Sequence, residues 1–302
     1  MAVHLATKTL LAIEEAIQAD QGAKFRGWLG KVIPHMGDAY REDESPFRTH
    51  LGASGVGDDC ARKIWYGFRW TTRPKFDGRL LRLFNRGHLE EARFIAMLLT
   101  IGAEVYQQDE NGNQFRISDA GGHFGGSGDG IVVNIPDLDP GVAALCEFKT
   151  SAEKPFLKLE KEGVRESKFE HYVQMQVYMR KMGIAVALYM VVNKNNDKLY
   201  AEIVPFNAEV ADQFIDRGVR LVWMDVPPEK INQSPGWYQC KWCDHRPVCH
   251  LKAEPDRNCR TCQHSKPLED GTWKCTNFES DCYGLRDKEQ QIEGCSKYRR
   301  KF

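Results

Sequence analysis

Asp129, within Gly128-Asp129-Gly130, and the later triplet Glu147-Phe148-Lys149 combine hard oxygen donors with a fixed cation. Side chains alternate along an extended strand, so Glu147 and Lys149 share one face while Cys146 and Phe148 take the other, toward apolar packing. Carboxylates at Asp129 and Glu147 are suited to holding one or two divalent ions, with the Phe148 carbonyl as a further ligand. Such an ion polarises a phosphate and lowers the pKa of an attacking water. Lys149 then supplies a fixed positive charge that orients the water or stabilises a pentavalent phosphorus. Gly125, Gly126 and Gly128 leave room for a backbone or phosphate to approach. An E-x-K triplet alone reads more readily as a surface salt bridge, since such tripeptides are common. Here it ends the apolar stretch VAALCEFKT, where charges are costly without a role.

Two helical patterns add donors. In RGHLEEARF, His88 and Glu91 lie one turn apart. His88 is either a further metal ligand, favouring Mn²⁺ somewhat over Mg²⁺, or a solvated helix histidine. In QMQVY, Gln174 and Tyr178 are spaced to hydrogen-bond the lysine or a DNA phosphate, or to form an amphipathic flank.

Cys60 and Cys146 stand alone, and the other eight of the 10 cysteines crowd the end of the chain. In a reducing compartment such clustering favours metal binding over disulfides. Cys240, Cys243 and Cys249 lack a fourth ligand nearby, and Cys60 is the candidate. Four thiolates suffice for a [4Fe–4S] cluster. A zinc site on the same cysteines, with His245 or His250 as a donor, is the alternative. Farther on, Cys259-x-x-Cys262 with Cys275 and Cys295 reads as a zinc knuckle, in which Cys282 or His264 can stand in for one ligand. Gly294 suits the tight turn before Cys295, and Trp273 can pack beside Cys275. Such a knuckle could bind DNA or a partner, but the favoured role is to stabilise a segment too short for its own core. Trp237, Tyr238, Lys241, Trp242 and Arg246 mix rings and charges around the first set. They fit either a clamp for single-stranded DNA or packing around the metal. The basic tail KYRRKF can meet DNA phosphates or simply be solvated.

The elements that must position these residues follow from periodicity. Helices are expected over 8–18, 58–70, 78–99, 167–182 and 208–224. Strands are expected at AEVYQQ, QFRIS, GDGIVVNI, VAALCEFKT, IAVALYMVV and LYAEIVP. This order predicts an α/β domain around a mixed sheet. After about residue 236 periodicity fades as cysteines accumulate.

The 302 residues suit one large domain, or a core domain with a small appendage. Lys plus Arg and Asp plus Glu both number 42, so net charge does not announce a nucleic-acid binder. No apolar run reaches the ~20 residues of a membrane helix. The N-terminus lacks a basic segment followed by an apolar one. The expectation is a cytoplasmic protein (host cytoplasm if viral) with no membrane partner.

Taken in order, Gly87 to Glu91 with His88, Asp129, Glu147-Phe148-Lys149, and Gln174 to Tyr178 resemble the RecB-like branch of the PD-(D/E)XK nucleases. The resemblance spans roughly residues 54–250. It implies a restriction-endonuclease-like α/β core, a central mixed sheet flanked by helices, with a small cysteine-rich metal-bound segment at the C-terminus. It also implies metal binding by His88, Asp129 and Glu147, and a catalytic Lys149. Cys60 in DDCARKIWYGF together with the Cys240, Cys243, Cys249 run resembles the CRISPR-associated iron–sulfur exonucleases, the AddB nuclease domain and eukaryotic exonuclease V. One cysteine before the core there joins three after it. The cysteines beyond residue 250 lie outside that pattern. The expected organisation is a helical lead-in (1–53), a nuclease domain closed by the cluster (54–250) and a zinc-binding segment (251–302). The expected activity is Mg²⁺- or Mn²⁺-dependent DNA exonuclease action at ends or on single strands. The partner is DNA, with room for a protein partner in a recombination, repair or CRISPR-type complex. A non-catalytic DNA-binding or adaptor protein of the same fold, or a structure-specific endonuclease, is the alternative.

Overall fold

The computed structural model describes residues 3–40, 42 and 47–302. The chain divides into two compact units interleaved in sequence. The first comprises Met1–Glu44, Phe76–Ile117 and Ser127–Asp212, the second Ser45–Lys75, Ser118–Gly126 and Gln213–Phe302. The cut differs from the consecutive segments expected from the sequence, because residues 54–75 and 213–250 group with the C-terminal cysteines.

In the first unit, helices α1 (Thr7–Ala19), α2 (Ala23–Val32) and α3 (Gly78–Thr100) precede strands β1 (Glu104–Tyr106), β2 (Gly130–Val133) and β3 (Ala144–Ser151). Helices α4 (Glu153–Ser167) and α5 (Phe169–Met182) lead to β4 (Val186–Asn193) and β5 (Leu199–Pro205). The five strands form one sheet in sequence order. β3 and β4 run parallel, and the other neighbours are antiparallel. A parallel pair needs a long crossover, and α4 with α5 supplies it. The sheet is thus mixed, with helices packed on it.

Period-two alternation sorts β3. Ala144, Cys146 and Phe148 join the core with Leu188, Met190 and Val192 of β4 and Phe94, Ile95 and Leu98 of α3. Phe94 and Phe148 stack with centroids 5.0 Å apart. The opposite parity leaves Glu147 and Lys149 to the other face. β4 is buried along its whole length, as a central strand covered on both faces should be. Helix α1 has no side-chain cap of its own. Asp137, after β2, replaces it by accepting from the backbone N–H groups of Lys8 and Thr9 and from the Thr9 hydroxyl, the last at 2.7 Å.

Two helices of this unit escape a periodicity reading. In α2, Gly27 and Gly30 interrupt the pattern. In α4, Pro155 sits in the first turn, charges dominate, and Gly163 adopts φ 73° inside the segment. Phe156, Leu159 and Val164 are nonetheless buried there.

Apart from the helix Ala208–Trp223, which matches the expected 208–224 segment and enters the second unit at residue 213, that unit is built from short pieces. Helix Ala61–Phe68 matches the expected 58–70 segment, and Leu51–Gly52 pairs in parallel with Phe124–Gly125. Ser265–Pro267, Trp273–Cys275 and Gly284–Arg286 form a three-stranded antiparallel sheet where no regular element was expected. A helix follows at Lys288–Glu293, opened by an Asp287–Gln290 capping box. Its core is aromatic and cationic rather than aliphatic. The buried Arg260 guanidinium lies 3.8 Å from the Trp70 ring centroid and 4.4 Å from that of Trp273. It donates to the carbonyls of Phe68 and Thr49 and to Gln291 Oε1. Among the described residues no helix is long and apolar enough to cross a membrane.

Candidate active site and cysteine centres

The β2–β3 register sets the first site. Gly130 pairs with Cys146, so Asp129 enters β2 beside the Glu147 end of β3. Asp129 Oδ2 accepts from the Phe148 backbone N–H at 2.8 Å, which ties the carboxylate to the strand carrying the triplet. A side chain at Gly130 would meet the Tyr106 carbonyl at 2.9 Å, so glycine lets β1 approach here. Gly128 is under no such constraint: a Cβ there would make ordinary van der Waals contacts, 3.4 Å from Met182 and 3.7 Å from Tyr178.

Glu147 is buried. Its Oε1 lies against the Lys149 ammonium, and its Oε2 accepts from Gln174 Nε2 at 2.9 Å. Lys149 also reaches the Phe148 carbonyl at 3.3 Å. Burial pushes the Glu147 carboxyl up to about 7; Lys149 opposes the rise, while Asp129 and Glu91 add to it. Burial also raises Glu91, with Asp129 adding to the rise and His88 and Lys149 opposing it. Burial alone would lower Lys149, but Glu147, Asp129 and Glu91 outweigh it and hold the ammonium charged. Asp129, Glu147, Glu91 and Lys149 therefore share one electrostatic neighbourhood. Three carboxylates against one ammonium leave it short of positive charge, a deficit a divalent cation would relieve.

His88 stands 3.7 Å from Glu91 on the same helix, with a side chain 40% exposed. Tyr178 is buried one turn beyond Gln174 on α5. Sequence reading missed two residues beneath the site. Tyr189 pairs with Glu147 across the β3–β4 register and shares its face. Its hydroxyl meets His171 Nδ1 at 2.7 Å. Burial, with Lys149 and Lys168 adding, lowers His171 to about 3, so its ring stays neutral. Strand parity for Tyr189 and the turn preceding Gln174 for His171 were the available signals.

In the second unit the fold brings Cys60 back to the run after residue 240. Burial raises the Cys240 thiol, and Cys60 and Cys249 raise it further. Cys243 is raised by burial and by Cys60, while the His245 N–H at its sulfur opposes this. Arg62 Nη1 approaches Cys249 Sγ at 3.9 Å. His245 turns instead to Thr72, with Nδ1 3.1 Å from its hydroxyl.

Among the later cysteines, Cys259 is pushed up to about 11 by burial; Arg286 opposes this, and Cys282, Cys262 and Cys295 contribute to it. Cys282 and Cys295 share a hydrogen bond, and Ser280 Oγ lies 3.4 Å from Cys295 Sγ. The Arg299 N–H points to Cys262 Sγ at 3.5 Å. Cys282 thus sits with Cys259, Cys262 and Cys295. Cys275 lies on the middle strand of the small sheet, paired with Ser265 and Gly284. His264 Nε2 meets Gln263. Among the described residues no group of three or more His, Cys, Asp or Glu side chains is arranged to hold a metal ion. Cys240, Cys259, Cys262, Cys275 and Cys282 are buried, while Cys60, Cys243, Cys249 and Cys295 are half-buried.

No family model matches the sequence, and no curated protein matches it closely enough to count as a relative. Similar solved structures include the crystal structure of SSO0001, with 14% identity and a TM-score of 0.39, covering 77% of this chain and 99% of that one. LHK-Exo in complex with dAMP has 15% identity and a TM-score of 0.40, over 57% of this chain and 86% of that one. The alkaline exonuclease LHK-Exo from Laribacter hongkongensis, in a further crystal structure, has 14% identity and a TM-score of 0.39, over 65% and 90%. Likeness at these scores carries no argument about activity.

Proposed function

We propose that the chain is a divalent-metal-dependent DNA nuclease of the PD-(D/E)XK, RecB-like type, acting as an exonuclease at DNA ends or on single strands. The observation that carries this reading is the shared neighbourhood of Asp129, Glu147, Glu91 and Lys149, built on the central strand of the sheet with Asp129 accepting from the Phe148 N–H. Asp129 and Glu147 would hold the Mg²⁺ or Mn²⁺, with the Phe148 carbonyl and His88 as further donors. When bound, the ion supplies Lewis-acid activation of phosphate and water. Gln174 fixes the orientation of the Glu147 carboxylate through Oε2. Lys149, held charged by its acidic neighbours, offers a positive charge to a phosphate gaining negative charge. Phe148 and Cys146, packed in the core, keep the strand bearing these groups in place.

Cys60, Cys240, Cys243 and Cys249 would hold a [4Fe–4S] cluster that ties residue 60 to the segment after residue 240. Zinc would bind Cys259, Cys262 and Cys295, with Cys282 rather than Cys275 as the fourth ligand because of its contact with Cys295. Both centres are structural in this reading.

The test is digestion of end-labelled linear DNA and of circular DNA with Mg²⁺ or Mn²⁺. Mononucleotides from linear DNA with circles intact is the expected result. Cleavage of closed circles would mean an endonuclease, and no cleavage of any substrate by metal-replete protein would end the nuclease reading.

A further inference from the structure

We propose that the Trp237–Trp242 segment of the second unit is a binding platform for single-stranded DNA, with bases stacked on Trp242 and Tyr238 and the phosphates met by Lys241 and its basic neighbours. The proposal rests on the nuclease reading only for its choice of nucleic acid as the occupant.

Aromatic side chains near a metal centre usually pack around it. Here Trp242 is 80% exposed and Tyr238 64%, and Trp237 is exposed as well. Tryptophan is mostly buried in folded proteins, so a ring this bare is informative. The exposure is not a sign of a loose segment. Cys240 lies between these residues, on the helix Tyr238–Lys241, and is buried. Trp237 and Tyr238 hold their centroids 5.0 Å apart. Lys241 places its ammonium over one face of the Trp242 ring, 5.1 Å from the centroid, so the exposed indole carries a cation on one side and offers its other face for stacking.

Charge completes the site. Residues 226–252 carry Lys230, Lys241, Arg246 and Lys252 against Glu229 and Asp244, an excess of two positive charges. The whole chain carries 42 of each sign, so the residues outside this stretch are net acidic. The nearby acid Asp59 is engaged by the Gln239 amide at 2.9 Å. Exposed rings beside cations recognise unpaired bases, because only a single strand offers a base face for stacking; a duplex offers mainly phosphates.

The test measures binding of a labelled oligothymidylate and of a blunt duplex of equal length, by fluorescence anisotropy on the full chain with no divalent ion added. Trp242→Ala with Tyr238→Ala is expected to weaken single-strand binding by on the order of tenfold or more, and duplex binding by about twofold at most. Trp242→Phe, which keeps a stacking face, should restore most of the affinity. Lys241→Gln should lower the salt dependence of single-strand binding. The melting temperature should not move, since the rings are exposed. Unchanged single-strand affinity in the double variant, or an equal loss for the duplex, overturns the proposal. So does a dimer that the double variant converts to monomer in sedimentation, which would make the rings an interface between copies. Cleavage is scored separately with Mg²⁺ or Mn²⁺. A protein that cuts nothing but loses single-strand binding in the variant would sink the nuclease reading and leave the platform standing.

Discussion

The two units solve the same problem, holding reactive or ligating side chains in place, by different means. In the first, a five-stranded sheet with an aliphatic core fixes Asp129, Glu147 and Lys149 through backbone register. In the second, short helices and three-residue strands surround buried arginines, tryptophans and cysteines. A sheet can hold a charged site without help because its hydrogen bonds and apolar face are already satisfied. A unit built from fragments buries less aliphatic surface and gains most from cross-links and charge-assisted hydrogen bonds. The first should therefore lose activity without losing its fold, and the second should lose its fold when one polar link is cut.

The largest effect is expected in the first unit. Asp129→Ala or Lys149→Ala should lower the cleavage rate by ~3 kcal/mol or more in barrier, a hundredfold or greater. The fold should persist with a lowered melting temperature, because Asp129→Ala leaves the Phe148 N–H, and Lys149→Ala the buried Glu147, without its partner. A variant that cuts DNA at the wild-type rate would remove its residue from the site.

The cysteine variants come next and divide the second unit. Cys60→Ala removes the one thiol that lies far upstream of its three partners. It should release iron from anaerobically purified protein and lower the melting temperature by many degrees. Cys262→Ala should release zinc, loosen the strands Ser265–Pro267, Trp273–Cys275 and Gly284–Arg286, and leave cleavage intact, because metal binding and folding are coupled locally. Iron lost from Cys262→Ala, or kept by Cys60→Ala, would mean the ligands have been assigned to the wrong centres.

Arg260→Lys tests the cationic core directly. The guanidinium satisfies two backbone carbonyls and Gln291 while lying over two indoles. Lysine cannot reproduce that fork or its stacking. Leaving even one buried acceptor unpaired costs ~1–3 kcal/mol. The variant should unfold at markedly lower denaturant while DNA cleavage under native conditions persists. A denaturation midpoint equal to the wild type would show the buried arginine to be dispensable.

The same contrast explains what the sequence made legible. β4 is readable because apolar residues run along nearly all of it, and β3 because the apolar stretch leading to Glu147 marks a strand whose parity places Glu147 and Lys149. Gln174 is readable by helical spacing, though its bond to Glu147 needed the fold. The second unit was opaque because its core residues are of types normally expected outside. A periodicity reading assigns Arg69 and Arg260 to solvent, yet both are fully buried. Its small sheet has three-residue strands, too short for alternation to register. The interleaving of the two units is likewise invisible in sequence order. Cys60 was paired with the later run by motif, and the chain path brings it there by way of the helix Ala61–Phe68 and the residues after 213.

The smallest effect sharpens the comparison from the other side, by cutting a polar link in the sheet-based unit. Asp137 receives the Lys8 and Thr9 amides and the Thr9 hydroxyl at the start of α1, and Thr9 is fully buried. Asp137→Ala removes the acceptor for the free N–H groups of that helix end and a negative charge favourable to its dipole. The expected loss is ~1 kcal/mol, or a few degrees in melting temperature. α1 carries none of the carboxylates or the lysine of the site, and the strand register that sets them does not pass through Asp137. Cleavage should therefore be unchanged. Asp137→Asn keeps one acceptor oxygen and should recover part of the loss, which separates the hydrogen bonds from the charge. A collapse of the first unit in Asp137→Ala, equal to that expected for Arg260→Lys, would show that the sheet is no more tolerant of a lost polar link than the cysteine-rich unit.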